Sequence, residues 1–193
     1  MAQRVLICGA SIAGPSLAFW LRRYGFDVTV VEQAPTVRPG GYAVDFRGTA
    51  MKVLERMGLI DAVKERETRT GSITMVDEHD NIVARLPDGF TSGDLEILRG
   101  DLAQLLYGAT RGSAEYLFGD SIRSMTEKAA GVEVVFAGGS TRQFDVVVGA
   151  DGLHSRVRAL AFGERSRFVQ PMGYGIAVFT VPDYLHLGNA GRY

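Results

Sequence analysis

The sequence predicts an α/β fold: a parallel sheet with flanking helices and an antiparallel hairpin layer, followed by the start of a second sheet. Two apolar runs, residues 5–8 and 146–148, have the composition of strands that are buried on both faces, as in a parallel sheet. Each run is followed by a glycine-containing turn and a helical pattern. Between the two runs lie short extended segments joined by turns, so the chain departs from a simple alternation of strands and helices.

The first strand, turn and helix form one unit. The strand leads into Gly9-x-Ser11-x-x-Gly14, and apolar residues then recur at helical spacing, with Pro15 in the first turn, where no amide hydrogen is needed. In the dinucleotide-binding fingerprint, the first glycine allows the turn, the second admits a pyrophosphate and the third allows close helix–strand packing. Ser11 replaces the second glycine, which weakens the match, although its hydroxyl can donate to a phosphate.

The next strand strengthens this interpretation. Residues 27–32 end at Glu32, which follows Gly14 by 18 residues (32 − 14 = 18). An acid about 20 residues after the last glycine is the expected acceptor for a ribose hydroxyl, so the unit predicts a Rossmann-like nucleotide-binding domain. Two alternatives stay open: an ordinary glycine turn with an acid present by chance, and a serine-hydrolase elbow around Ser11, whose final glycine is replaced by Ala13.

The remaining elements are predicted from periodicity and turn signals. In chain order they are a strand at 42–46, helices at 49–58 and 60–66, a hairpin within 72–87 with its turn near Asp80 and Asn81, a strand and helix within 95–109, short strands from 115 to 148 with a turn at Gly138-Gly139, a helix from Ser155, and a strand at 174–181.

Composition narrows the classes of protein that the chain can belong to. Apolar residues make up 46% and charged residues 22% of 193, as in ordinary globular proteins, and a net charge of −1 gives no basic patch for nucleic acid. No apolar stretch approaches the ~20 residues of a membrane helix. The only cysteine, Cys8, is expected to be a buried, unreactive thiol. The first strand begins so early that no signal peptide is expected, which favours the cytoplasm.

The sequence gives little support for a metal site or for a general acid–base pair. The three histidines, His79, His154 and His186, lack metal-ligand spacing, so no metal site is predicted. No pair of side chains is spaced as a general acid and base, and catalytic residues are therefore unknown at this stage.

The stretch VVGADGLHSRVR, residues 147–158, resembles the G-A-D-G-x-x-S-x-V-R signature of flavoprotein aromatic hydroxylases, the para-hydroxybenzoate hydroxylase superfamily. Together with the Gly9–Gly14 turn, Glu32, GGYAVDFRG at 40–48 and LRGDL at 98–102, the resemblance covers essentially the whole chain. Within the superfamily the sequence is similar to the small single-component FAD monooxygenases of bacteria, including those that inactivate tetracyclines.

The resemblance implies an FAD cofactor. The glycine turn would lie along the pyrophosphate, Glu32 would hold the adenosine ribose, and Arg158 would lie nearer the nicotinamide nucleotide. Gln33 stands where most relatives have an arginine. The residues expected to contact FAD are Gly9, Ser11, Ala13, Gly14, Glu32, Arg38, Asp45, Arg99 and Asp151.

The resemblance also implies the reaction. NADPH or NADH would reduce the flavin transiently, and a C4a-hydroperoxide would then hydroxylate an aromatic or polyketide-like small molecule, with no nucleic-acid or membrane partner; the oligomeric state is open. The protein would position and shield the flavin, which carries the chemistry. A related flavoprotein reductase or halogenase and a non-catalytic FAD-binding remnant remain as alternatives.

The resemblance implies that relatives are about twice as long as this chain. Their third FAD motif, a Gly-Asp-Ala-x-His segment, is not found in these 193 residues. Residues 1–170 are therefore expected to form an FAD-binding domain, with a hairpin inserted around 71–98. Residues 171–193 are expected to supply the first strand of a truncated substrate-binding domain. On this interpretation the chain is an N-terminal fragment that is inactive alone.

Overall fold

The structure is a computed structural model that describes residues 2–90 and 93–193. Its helices and strands follow one another as β1 (Arg4–Cys8), α1 (Ala13–Arg23), β2 (Asp27–Glu32), β3 (Ala43–Phe46), α2 (Thr49–Met57), α3 (Ile60–Lys64), β4 (Ile73–Val76), β5 (Ile82–Leu86), β6 (Leu95–Leu98), α4 (Arg99–Thr110), β7 (Glu115–Phe118), β8 (Ile122–Lys128), β9 (Gly131–Phe136), β10 (Thr141–Phe144), β11 (Val146–Gly149), α5 (Arg156–Phe162) and β12 (Gly191–Arg192).

The chain divides into two compact units. The first comprises Met1–Pro39 and Leu102–Gly175, and the second comprises Gly40–Asp101 and Ile176–Tyr193. The α/β class predicted from the sequence is confirmed, with a parallel sheet and antiparallel sheets. No helix in the described part of the chain has the length and apolarity needed to span a bilayer.

The first unit is built on a four-stranded parallel sheet in the order β11-β1-β2-β7. Strand β1 lies between β11 and β2, with Cys8 opposite Gly149 on one side and Val31 on the other. Because successive side chains of a strand point to opposite faces, Leu6 and Cys8 enter one core and Ile7 enters another. The continuous apolar run at 5–8 is therefore a strand that is covered on both faces, as predicted.

An antiparallel sheet in the order β10-β9-β8 covers one face of the parallel sheet. Phe136 and Phe144 from this sheet share a core cluster with Leu6 and Cys8, and Phe136 is fully buried. Gly139, with φ of 93°, lies in the β9–β10 turn, where the sequence predicted a hairpin. The opposite face packs against α1 through Ala18.

The second unit contains two small sheets, β3-β6 and β12-β4-β5, together with α2 and α3. Asp80 has φ of 70° and lies in the tight turn between β4 and β5, where Asp77 accepts a hydrogen bond from the Asn81 amide at 2.8 Å. This confirms the predicted hairpin. Helix α3 ends at Lys64, two residues before the predicted end.

The strand predicted at 174–181 is wrong, because these residues form no strand in the structure. Ile176 is 92% exposed and Phe179 is 77% exposed. The β-branched and aromatic residues of this segment favour a strand only where a neighbouring strand supplies hydrogen bonds and packing. Within residues 171–193, which the structure describes in full, only Gly191–Arg192 joins a sheet, where it pairs with β4. The assignment of residues 171–193 to a substrate-binding domain stays a prediction.

Candidate functional site

The turn after β1 is shaped by two glycines. Gly9 has φ of 111°, a conformation that side chains disfavour, and a Cβ there would collide with the carbonyl oxygen of Ala150. A Cβ on Gly14 would collide with the carbonyl oxygen of Gly9. The turn therefore requires glycine at position 9, and the close approach of α1 to β1 requires glycine at position 14. These are the roles that the fingerprint assigns to its first and third glycines.

Helix α1 begins at this turn. Its N-cap residue, Ile12, makes no side-chain capping bond, and the first turn of the helix contains no acidic residue. The first amides of any helix lack intrahelical partners and carry the positive end of the dipole. Ser11 is partly buried beside this end and Ala13 is exposed at its first position. The start of α1 is thus suited to an anionic group such as a pyrophosphate.

Glu32 ends β2 next to the same turn. It is only 7% exposed, and its two oxygens accept hydrogen bonds from the amides of Ala10 at 2.9 Å and Ala34 at 3.0 Å. Each carboxylate oxygen can accept more than one hydrogen bond, so a ribose hydroxyl can still be bound. The structure adds a function that the sequence did not indicate, since Glu32 also fastens the β1–α1 turn to the end of β2.

Asp151 follows β11 and holds the start of α5. Its carboxylate accepts hydrogen bonds from the Ser155 hydroxyl at 2.5 Å and from the amides of Arg156 at 2.6 Å and Val157 at 3.1 Å. Burial raises the pKa of Asp151, but the hydrogen bonds from Ser155 and these amides lower it further, so the net pKa lies below the ordinary value. Asp151 is therefore ionised near neutral pH.

Cys8 lies beside Asp151, with Sγ 3.6 Å from Oδ2. Burial, followed by the charge of Asp151 and its hydrogen bond, raises the pKa of the Cys8 thiol to about 12. The thiolate is the reactive form of cysteine, so a thiol with this pKa is inert at neutral pH. This confirms the buried, unreactive cysteine that the sequence predicted.

A cleft of about 670 Å³ opens between the start of α1 and the Asp151 loop. The Arg158 guanidinium lies in its wall and donates to the carbonyl of Leu153 at 2.7 Å. Other residues of the wall include Ala13, Gly149, Asp151, Ser155 and Phe168.

The structure brings six of the nine residues predicted to contact FAD to one edge of the parallel sheet: Gly9, Ser11, Ala13, Gly14, Glu32 and Asp151. Gly9 follows β1, Glu32 ends β2 and Asp151 follows β11, as expected because carboxyl ends of parallel strands meet at one edge. Ala13 and Gly14 stand at the start of α1 beside them. Arg38 is exposed in the loop after β2, and its contact with FAD stays a prediction.

Asp45 and Arg99 belong to the second unit. The Arg99 amide donates to the carbonyl of Tyr42 at 3.0 Å, and Nη2 donates to the carbonyl of Gly40 at 2.7 Å. The arginine is thus fastened to the GGY segment. Asp45 lies on β3, with Oδ2 3.7 Å from Nη2 of Arg47. Nothing in the structure tests their predicted contacts with FAD.

The sequence did not indicate the contacts of Arg156 or the burial of Glu96. Arg156 is exposed, and its Nε donates to the carbonyl of Ile122 and its Nη2 to that of Arg123 at 3.3 Å, which ties α5 to β8. Glu96 is 8% exposed. The sequence signal for the burial of Glu96 is an acid inside the apolar run LEIL at 95–98.

The edge of the first unit fits the adenosine and pyrophosphate part of FAD. It offers a glycine-lined turn that a Cβ would fill, a helix start without a side-chain cap, and a buried carboxylate on the neighbouring strand.

Comparison with known proteins agrees with this geometry. The profile of the family described as "FAD binding domain" matches residues 2–184. The chain belongs to this family. Over 191 residues it is 48% identical to the uncharacterized protein Rv1260 of Mycobacterium tuberculosis (strain ATCC 25618 / H37Rv), covering 96% of this chain and 51% of that protein. It is 39% identical to a flavin-dependent monooxygenase of an unknown prokaryotic organism, over 97% of this chain and 49% of that protein. The chain thus spans about half the length of the curated relatives it matches.

Solved structures of other proteins share the fold. Tetracycline destructase Tet(51) superposes with a TM-score of 0.76 at 38% identity, over 84% of this chain and 42% of that chain. CtdE in complex with FAD superposes with a TM-score of 0.74 over 85% and 42%, and at 20% identity it supports the fold alone.

Proposed function

We propose that these residues form the FAD-binding part of a flavin-dependent monooxygenase that uses NADPH or NADH and O₂ to hydroxylate an aromatic or polyketide-like small molecule. The observation that carries the proposal is the edge of the first unit, where a glycine turn, the start of α1 and Glu32 converge. Similarity over nearly the whole chain to proteins described as flavin-dependent monooxygenases supports the same activity.

In this proposal the chain's own residues bind and orient the cofactor. The Gly9–Gly14 turn admits the pyrophosphate, the amides at the start of α1 donate to it, and Glu32 accepts from the adenosine ribose. Asp151 keeps the loop after β11 in place through α5. Arg38, Asp45 and Arg99 are assigned to FAD by the resemblance. Bound FAD would supply the redox chemistry, passing electrons from the nicotinamide to oxygen.

The proposed substrate class is a fused or single aromatic ring of a small molecule. It is supported by the 38% identity to a protein described as a tetracycline destructase. The net charge of −1 gives no support for a nucleic acid as the substrate.

The test uses the polypeptide encoded by the complete reading frame that contains these residues, loaded with FAD. NADPH or NADH oxidation is followed together with the mass of products from a panel that includes tetracycline and simple phenols, under isotopically labelled O₂. We expect one labelled oxygen atom in a product for each nicotinamide oxidised. Nicotinamide oxidation that yields only peroxide on every substrate would favour a reductase, and a chlorinated product in chloride would favour a halogenase.

A further inference from the structure

Gly41 packs against the side chain of Arg99 in the second unit, and the proposed function gives Gly41 no role. A Cβ on Gly41 would lie 2.5 Å from Nε of Arg99 and 3.3 Å from both Cδ and Cζ. Optimal contacts between carbon atoms are about 3.5–4.0 Å long, so a methyl group and this arginine cannot both keep these places. The guanidinium therefore has its place because position 41 carries no side chain.

Two hydrogen bonds hold Arg99 on either side of Gly41. The Arg99 amide donates to the carbonyl of Tyr42 at 3.0 Å, directly after the last pair of the β3–β6 ladder, Ala43 and Leu98. The Nη2 atom donates to the carbonyl of Gly40 at 2.7 Å. A guanidinium is planar and its donors form a fixed fork, so the bond at Nη2 and the contact at Nε together restrict the direction of the whole group.

The backbone of this segment separates the requirements of its two glycines. Gly40 has φ of 67° and Gly41 has φ of 108°, and both conformations favour glycine. A Cβ on Gly40 would have nothing within 4 Å, whereas the three atoms nearest to a Cβ on Gly41 all belong to the Arg99 side chain. That side chain is flexible, so the steric effect of a substitution at Gly41 falls on the position of Arg99.

We propose that Gly41 is a positioning residue for Arg99: by lacking a side chain, it lets the arginine lie across residues 40–42, where the Gly40 carbonyl orients the guanidinium for contact with FAD. The contact of Arg99 with FAD rests on the proposed function, whereas its place against Gly41 does not. Gly41 acts only through Arg99 in this arrangement. A guanidinium whose direction is already fixed loses less conformational freedom when it binds an oxygen-rich group such as a phosphate.

The first test follows Arg99 without cofactor. The polypeptide encoded by the complete reading frame is labelled with ¹⁵N-arginine, and the Nε–H signal of Arg99 is assigned by its loss in Arg99→Lys. We expect the Nε–H proton to exchange with water severalfold faster in Gly41→Ala than in wild type, because the guanidinium leaves the Gly40 carbonyl. An exchange rate that is the same in Gly41→Ala and wild type would overturn the positioning.

Gly139→Ala is the matched control for backbone strain. Gly139 has φ of 93°, close to that of Gly41, and a Cβ there would have nothing within 4 Å. This variant carries similar strain without displacing a side chain, so the Arg99 exchange rate should stay at its wild-type value.

The second test is a double-mutant cycle on the FAD affinity of the same polypeptide, measured by flavin fluorescence. Gly41→Ala is expected to weaken FAD binding about fivefold, as for one lost hydrogen bond. In an Arg99→Ala background, where the clashing atoms are absent, Gly41→Ala should cause no further loss. Equal losses in the two backgrounds would show an effect of the backbone alone and would overturn the positioning of Arg99.

Two further outcomes also decide. If Gly41→Ala does not fold, the double variant Gly41→Ala/Arg99→Ala is compared with it: a folded double variant supports the clash with Arg99, and failure of both overturns it. If the wild type binds no FAD, the proposed function fails, whereas the exchange measurement still decides whether Gly41 places Arg99.

Discussion

Two carboxylates at one edge of the parallel sheet, on either side of β1, show how the same chemical group can have different functions. Glu32 accepts from amides of the turn after β1 and of the segment after β2. Asp151 accepts from Ser155 and from two amides of α5. Glu32 therefore lies beside the nucleotide turn, whereas Asp151 fixes a helix, and substitutions at the two positions should have different consequences.

Replacing Glu32 with alanine is expected to weaken FAD binding. The loss of a charge-assisted hydrogen bond is worth ~1.5–3 kcal/mol, or about one to two decades in affinity. Arg99→Ala should give a loss of similar size. Flavin fluorescence titration measures it, with Glu133→Ala as control, because Glu133 pairs with Lys128 at 3.4 Å on another sheet. Unchanged affinity in both Glu32→Ala and Arg99→Ala would remove these residues from the site.

Asp151→Asn is expected to lower stability most near neutral pH. Because the folded pKa of Asp151 is depressed below its ordinary 3.8, its contribution is present above that value and is lost as the pH falls through the folded pKa. The difference from wild type should therefore be about 1–3 kcal/mol at pH 7 and shrink in acid. Urea unfolding at several pH values measures this. A difference that stays constant down to strong acid would contradict the ionised cap.

At the scale of elements, the β1–α1 connection depends on Gly14. Substitution by alanine places a Cβ against the carbonyl oxygen of Gly9, so α1 must move away from β1. We expect a loss of about 1–3 kcal/mol, typical of overpacking, and weaker FAD binding.

The matched control for Gly14→Ala is Gly108→Ala in α4, where nothing lies within 4 Å of the new Cβ. Alanine should stabilise that exposed helical position by about 0.5–1 kcal/mol. Thermal unfolding compares the two variants, and a Gly14→Ala protein as stable as wild type would show that the close packing is not required.

The sequence predicted the elements that depend on turn residues close in the chain or on a strong pattern of apolar residues. The buried run at 5–8, the turn glycines, the β4–β5 hairpin and the helix after Ser155 were all found from the sequence. Ser155 accepts from the Arg158 amide at 3.0 Å, as an N-cap residue should.

Other features could not be predicted because they depend on contacts distant in sequence. The segment 174–181 has strand-like residues, but no described strand pairs with it. Arg156 reaches carbonyls 33 and 34 residues away, and Glu96 meets threonines 26 and 28 residues away. The motif around Asp151 indicated that this residue is important, whereas its bonds to α5 are visible only in three dimensions.

At the scale of the whole molecule, the segment at 176–181 exposes several apolar side chains to solvent. Ile176, Val178, Phe179 and Val181 are between 54% and 92% exposed. Contiguous apolar surface and unpaired strand-like segments favour association. The 193-residue chain is therefore expected to self-associate.

The double variant Ile176→Lys/Phe179→Lys should reduce this association. Sedimentation velocity measures it over a range of concentrations. Tyr24→Lys, which changes an exposed aromatic at the end of α1, is the control and should have little effect. A wild-type chain that stays monomeric at high concentration would contradict the expectation.

The proposed function requires the edge of the first unit to bind the adenosine and pyrophosphate half of FAD. The most direct measurement is a competition titration of the 193-residue chain, in which ADP and FMN are compared for displacement of FAD by flavin fluorescence. We expect weak but measurable FAD binding that ADP displaces at concentrations where FMN does not, because in the proposed function the glycine turn and Glu32 contact the part that FAD shares with ADP. Displacement by FMN without displacement by ADP would contradict it.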